Sequence, residues 1–251
     1  MAIDEALARG CARRRAPTLR FYDWKRPTLS LGRHQRLVDA ADEAACRRMG
    51  VEIVRRPSGG RAVLHESEIT YALTVPATDP LAAGGTRCVL AGVARALARG
   101  LQHLGVPARV AGDGDFGPGR GRAPIPPCFL SAAREEIVAD GEKVGAAAQW
   151  RLRDALLQHG SIPLHIDRER LSAATGLGRR PGRENGWGRF PTGLGRWAQA
   201  DRNDWIGALV AGFEEELGVR LVRGRLTRRE IDRARRLERR VYAAASWTRR
   251  L

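Results

Sequence analysis

The chain has 251 residues, 43% of them hydrophobic, with 44 Lys+Arg against 28 Asp+Glu and a formal net charge of +16. That is enough apolar residue for one large domain with a full core, and no run of ~18 apolar residues is present to cross a bilayer. The four cysteines, at 11, 46, 88 and 128, form no CxxC pair or tight cluster, which excludes a zinc ribbon and a disulfide framework.

In chain order, residues 1–15 read as a helix with Ile3, Ala6 and Leu7 on its apolar side. Asp4 and Glu5 interrupt any signal-peptide apolar region there, so a cytoplasmic protein without membrane attachment is expected. Residues 19–24 and 28–33 read as strands, and 39–49 as a helix stopped by Gly50. The strand 51–56 turns through Pro57-Ser58-Gly59-Gly60 into a return strand, 61–65, and 68–75 alternates as another strand. Thr86 is the expected cap of a helix running to Leu104, stopped by Gly105. A strand at 106–110 precedes a Gly/Pro-rich loop, 111–127, long enough for a binding loop or lid.

Residues 135–149 read as a hairpin around Asp140-Gly141, and 155–164 as a further strand. The stretch 176–200, rich in Gly, Arg and Trp without periodicity, is expected to be a mobile loop or partner surface. A helix at 204–218, a short strand at 219–222 and a last helix at 227–243 follow, the last opened by a Thr227–Glu230 capping box. Hairpins and separate helices in this order predict an α+β domain with a mostly antiparallel or mixed sheet.

Two residues are candidates for carrying chemistry. Among 44 Lys+Arg, only positions 25 and 143 are lysine. A surface cation can be either residue, but a cation that must shed a proton cannot be arginine. Lys143 is therefore a candidate tuned amine, the alternative being a chance lysine beside a turn. Cys128 sits in a Pro-rich loop, whereas Cys11, Cys46 and Cys88 fall in helical stretches, where a buried thiol is an ordinary small hydrophobe. A thiolate beside a cation is a nucleophile; an isolated loop thiol is inert. Gly145 and the alanines 146–148 leave little bulk on the second hairpin strand, which marks close approach of a ligand or of another backbone. The charge fits either nucleic acid or acidic protein partners, and no zinc finger or RNP motif supports the former. Arginine-rich composition is itself the plainest account.

The segments MAIDEAL (1–7), LRFYDWKRPTLSLGRHQ (19–35), RRPSGGRAVLHESEITYAL (55–73), PPCF (126–129), GEKVGAAAQ (141–149) and LLQHGSI (156–162) resemble the lipoate–protein ligase A family, which shares its catalytic fold with biotin protein ligases. Within it the chain is most similar to the cysteine-dependent octanoyltransferases. The resemblance implies a single biotin/lipoate ligase-like catalytic domain over 1–251, its sheet flanked by helices, with a small C-terminal helical segment at 225–251. It implies transfer of an octanoyl (or lipoyl) group from acyl carrier protein, through a thioester on Cys128, to a lysine of a lipoyl domain. That acceptor would be the glycine-cleavage H protein or a 2-oxoacid dehydrogenase E2 subunit.

Lys143 matches the family lysine. Arg56 (rather than Arg55, on the opposite strand face), Ser58, Gly59, Gly60, Arg61, Ala62, Val63 and His65 would line the acyl tunnel and the pantetheine entrance. Gly145, Ala146 and Ala147 would leave room for the chain. The loop at 57–60 can equally be an ordinary hairpin turn, and His65 a structural histidine. No cofactor or metal is expected, and no nucleic-acid partner. ATP and Mg would enter only if the chain were an ATP-dependent lipoate–protein ligase; a non-catalytic carrier- or nucleic-acid-binding homologue is the third reading. The chain departs from the family at Glu66, Ala72 and Thr248. A family strand that precedes the MAIDEAL segment is absent before Met1, so either the start lies further upstream or another segment fills that sheet edge.

Overall fold

The computed structural model describes residues 1–14, 16–112, 128–130, 135–177 and 191–251. Nearly all of the Gly/Pro-rich loop 111–127, and 178–190 of the expected loop at 176–200, lie outside them. The elements are α1 (Ala2–Arg14), β1 (Thr18–Tyr22), β2 (Thr28–Leu31), α2 (Leu37–Ala40), α3 (Glu43–Arg48), β3 (Glu52–Arg55), β4 (Val63–His65), β5 (Glu68–Pro76), α4 (Gly85–Gln102) and β6 (Ala108–Val110). They continue with β7 (Ile137–Ala139), β8 (Glu142–Arg151), β9 (Ala155–Pro163), α5 (Arg168–Thr175), α6 (Arg202–Leu217), α7 (Arg228–Leu237) and α8 (Ala245–Thr248).

Two sheets result. The larger is antiparallel, in the order β1-β5-β9-β8-β7-β6; the smaller, β3-β2-β4, is mixed, with β2 parallel to β3 and antiparallel to β4. Alternation divides the large sheet's faces. Ile69, Tyr71, Leu73 and Val75 of β5, with Leu156 and Ile162 of β9, join the main core under α4 and α6. That core takes Val89, Val93, Leu97 and Leu101 from α4, an i, i+4 stripe, and Trp205, Leu209 and Phe213 from α6. The two helices cross at glycines. A Cβ on Gly212 would lie 2.3 Å from the Gly100 nitrogen, and one on Gly100 2.6 Å from the Ala208 carbonyl, so any side chain there would force the helices apart. On the opposite face, Ala8 of α1 packs on Ala72 and Leu157.

The sequence expectations need four corrections. The helix expected at 39–49 is broken into α2 and α3, because the Asp42 side chain accepts from the Ala45 N–H and restarts the helix as its N-cap. α4 starts at Gly85 with Gly84 as N-cap, so Thr86 caps nothing. Residues 219–222 form no strand: the Leu221 N–H donates to the Glu214 carboxylate at 2.7 Å, and Val222 is exposed. The last helix ends at Leu237 and passes into a π-turn, Glu238–Tyr242, although its Thr227–Glu230 capping box forms as expected. In the described end of the 176–200 stretch, Leu194 is fully buried in the main core and the Gly195 N–H donates to Leu164.

Candidate active site

The small sheet lies over the α1-side face of the large one, and between them is a cavity of about 440 Å³. β8 and β9 supply one wall. Ala146 and Ala148 stand opposite Ser161 and His159 in the ladder, with Thr70 of β5 alongside. Ser30, Arg56, Gly60, Val63 and His65 supply the other wall, and Tyr22 and Trp24 close one side. Cys128 borders this cavity, and also a second of about 410 Å³ lined by Ala62, Glu66, Ser67, His165 and Asp167.

The turn Asp140-Gly141 has positive φ at both residues, 46° and 78°, as a tight hairpin requires. The β7–β8 register slips by one, with Val138 opposite Lys143 but Ile137 opposite Gly145; such a bulge re-aims a side chain. Lys143, 5% exposed, places Nζ 2.8 Å from the Cys128 carbonyl, 3.5 Å from Cys128 Sγ and 2.5 Å from a Glu136 carboxylate oxygen. The Phe129 ring lies 5.7 Å from Nζ. The Cys128 N–H donates to the Ala62 carbonyl at 3.3 Å, which ties the short 3₁₀ turn at 128–130 to the strand leading into β4. The other thiols differ. Burial, with Asp42 and Glu43 nearby, pushes Cys46 up to about 11, which keeps it a protonated core thiol; Cys11 is buried and Cys88 exposed.

Arg56 braces the turn after β3. Its guanidinium donates to the carbonyls of Ser30, Gly59 and Arg61 and to Ser30 Oγ. Burial lowers it to about 10, so it stays charged at neutral pH. Gly60, at φ 93°, lets the turn fold back onto Gly32, where a Cβ would lie 1.9 Å from the Gly60 oxygen. Ser58 Oγ hydrogen-bonds His159 Nε2. Burial outweighs the nearby Asp4 and pushes His159 down to about 3, so the imidazole is neutral. Arg55 faces away, as expected. It donates to Gly32, Gln35, Trp247 and Thr248 carbonyls, while Trp247 Nε1 donates back to its oxygen, pinning the C-terminal segment to β3.

His65 is held on both nitrogens, Nδ1 2.7 Å from Glu68 and Nε2 2.7 Å from Ser30 Oγ, and Trp24 stacks on its ring at 4.2 Å. Burial alone would raise the Glu68 carboxyl. His65 and the hydroxyls of Ser161 and Thr70 more than offset this and hold it below the usual carboxylate value.

Of the residues read from the sequence, Cys128 and Lys143 meet. Arg56, Gly60, Val63, His65, Ala146 and Ala147 line the 440 Å³ cavity. Ser58, Gly59 and Arg61 act one layer back, through His159 and Arg56, and Ala62 lines the second cavity. Gly145 is smaller for another reason: a Cβ there would lie 2.8 Å from Ile137 Cδ1, so it makes room for the facing strand. Sequence reasoning missed Trp24, Ser30, Thr70, Ser161 and Glu136. The alternation of β9 held the signal for Ser161, two residues after His159 on the same face.

The family profile described as the lipoyl protein ligase A/B catalytic domain matches residues 1–186. The octanoyltransferase LipM of Carboxydothermus hydrogenoformans is 34% identical over 254 residues, 98% of this chain and 92% of the relative. The octanoyltransferase LipM of Moorella thermoacetica is 38% identical over 261 residues, 100% and 93% respectively. In fold, the chain is similar to the bipartite lipoate protein ligase of Thermoplasma acidophilum, with TM-score 0.77 at 23% identity over 100% of this chain and 91% of that one. With its profile match across the cavity-forming strands and full-length relatives above 30% identity, the chain belongs to the lipoyl protein ligase A/B catalytic-domain family.

Proposed function

We propose that the protein is an octanoyltransferase of lipoate biosynthesis, carrying the acyl group as a thioester on Cys128. Relatives across nearly the whole chain bear that activity in their names, and the geometry supports the route. The observation that carries it is the pairing of Lys143 Nζ with Cys128 Sγ at 3.5 Å beside the sheet–sheet cavity. An ammonium there favours the thiolate, which attacks the donor thioester. Lys143 then faces the developing oxyanion and the departing thiol. The cavity takes the acyl chain, each buried methylene contributing ~0.8 kcal/mol.

The donor is octanoyl-acyl carrier protein and the acceptor a lysine of a lipoyl domain, either the glycine-cleavage H protein or a dehydrogenase E2 subunit. Both carriers present a flexible arm, and the second cavity leaves Cys128 approachable by such an arm while the chain occupies the first. Acidic carriers fit the net charge of +16. No nucleotide takes part. No helix among the described residues is long and apolar enough to cross a membrane, and the proposed site of action is the cytoplasm.

The test is modification of a lipoyl domain from octanoyl-acyl carrier protein, followed by mass spectrometry with ATP absent. Transfer by wild type and its loss in Cys128→Ser is the expected result. Modification from free lipoate that requires ATP and survives Cys128→Ser would replace this reading with a ligase.

A further inference from the structure

The Cys128–Lys143 pair has a third member in contact, and the mechanism above does not use it. Glu136 directly precedes β7, its side chain 14% exposed, and its Oε1 lies 2.5 Å from Lys143 Nζ. Glu135 before it sits at φ 60°, a conformation that side chains disfavour. That turn points Glu135 outward to Arg87, at 2.6 Å, and Glu136 inward. An unusual backbone conformation is thus kept where it delivers a carboxylate to the lysine.

Geometry explains what the carboxylate does. A lysine ammonium has three N–H donors on a four-carbon stem with no directional preference of its own. Here Nζ lies 2.8 Å from the Cys128 carbonyl, 2.5 Å from Glu136 and 3.5 Å from Sγ. The two oxygen acceptors restrain the ammonium while sulfur stays within its reach. Without Glu136 the amine loses a charged acceptor that holds it beside the thiol.

We propose that Glu136 is a positioning residue: it holds Lys143 oriented against Cys128 for formation of the cysteine thioester. The inference rests on the octanoyl-transfer reading above. In the first half-reaction the Cys128 thiolate forms the C–S bond, the donor C–S bond breaks, and the Lys143 ammonium gives its proton to the leaving thiolate. In the second, the acceptor amine forms the amide bond and Cys128 leaves as thiolate. The amine's proton goes to the neutral Lys143, restoring the starting state. Glu136 exchanges no proton in either half-reaction; it keeps the Lys143 amine beside sulfur while the thioester forms, so its loss acts first on acylation.

The experiment is single-turnover acylation of Cys128 by octanoyl-acyl carrier protein, with donor concentration varied, in wild type, Glu136→Gln, Glu136→Asp and Glu135→Gln. The expected result for Glu136→Gln is a maximal acylation rate at least ~10-fold lower with the half-saturating donor concentration unchanged. Glu136→Asp recovers part of the rate, and Glu135→Gln behaves as wild type. A Glu136→Gln protein that acylates at the wild-type rate overturns the inference, as does a loss that Glu136→Asp fails to relieve in any measure while its thermal midpoint stays unchanged. Absence of a Cys128 thioester in wild type would instead overturn the octanoyl-transfer reading itself.

Discussion

Two buried cations stand on the two sheets, Arg56 beside the small one and Lys143 in the large one, and their contacts differ in kind. Arg56, on the small sheet, donates to main-chain carbonyls of Ser30, Gly59 and Arg61 and holds a turn in shape. Lys143, on the large sheet, meets the Cys128 thiol and the Glu136 carboxylate. The arginine-rich composition makes the contrast legible: a brace needs a fixed fork of donors, and a proton carrier needs an amine. The polar groups lining the cavity are locked as well, His159 neutral against Ser58 and His65 between Glu68 and Ser30.

Exchanging the cations' character breaks the comparison most directly. Lys143→Arg keeps the charge and removes the exchangeable proton. Octanoyl transfer should fall by ~10²-fold or more, with the thermal midpoint within a few degrees of wild type; near-normal turnover would mean that only charge matters there. Arg56→Ala should act on stability instead. Three carbonyls lose their charged donor, at a cost on the order of 3 kcal/mol in denaturant unfolding, and a stable but inactive variant would place Arg56 in the chemistry.

The smallest of these effects concerns the neutral histidine. Its folded value of about 3 lies below the unfolded 6.5. The stability it contributes is therefore full above pH 6.5 and is lost as pH falls toward 3. By pH 5 this amounts to roughly 2 kcal/mol. His159→Gln should lose that much less than wild type between pH 7 and pH 5 in urea titrations. Identical pH dependence in the two proteins would show that His159 titrates normally.

Local chemistry was readable and long-range placement was not. The Asp140-Gly141 turn, the Thr227–Glu230 capping box and the stops at Gly50 and Gly105 each depend on neighbouring residues, and each formed as the sequence indicates. The separation into two sheets depends on β2 pairing in parallel with β3 across two short helices, which no local pattern encodes. The break at Asp42 reflects a cap competing with helical periodicity, and the failed strand at 219–222 reflects the want of a partner edge. At the site, Cys128 and Lys143 were found by residue type. Ser30, Trp24 and Thr70 were missed because their inward faces follow from how the sheets stack. Gly145 was right as a sign of close approach, but what approaches is Ile137.

The central claim is that Cys128 carries the acyl group. Wild-type protein mixed with octanoyl-acyl carrier protein, without acceptor, should gain the mass of one octanoyl group on the peptide containing Cys128, and hydroxylamine at neutral pH should remove it. An octanoyl group found on another residue, or transfer to a lipoyl domain at full rate with no acyl-protein ever trapped, would contradict it.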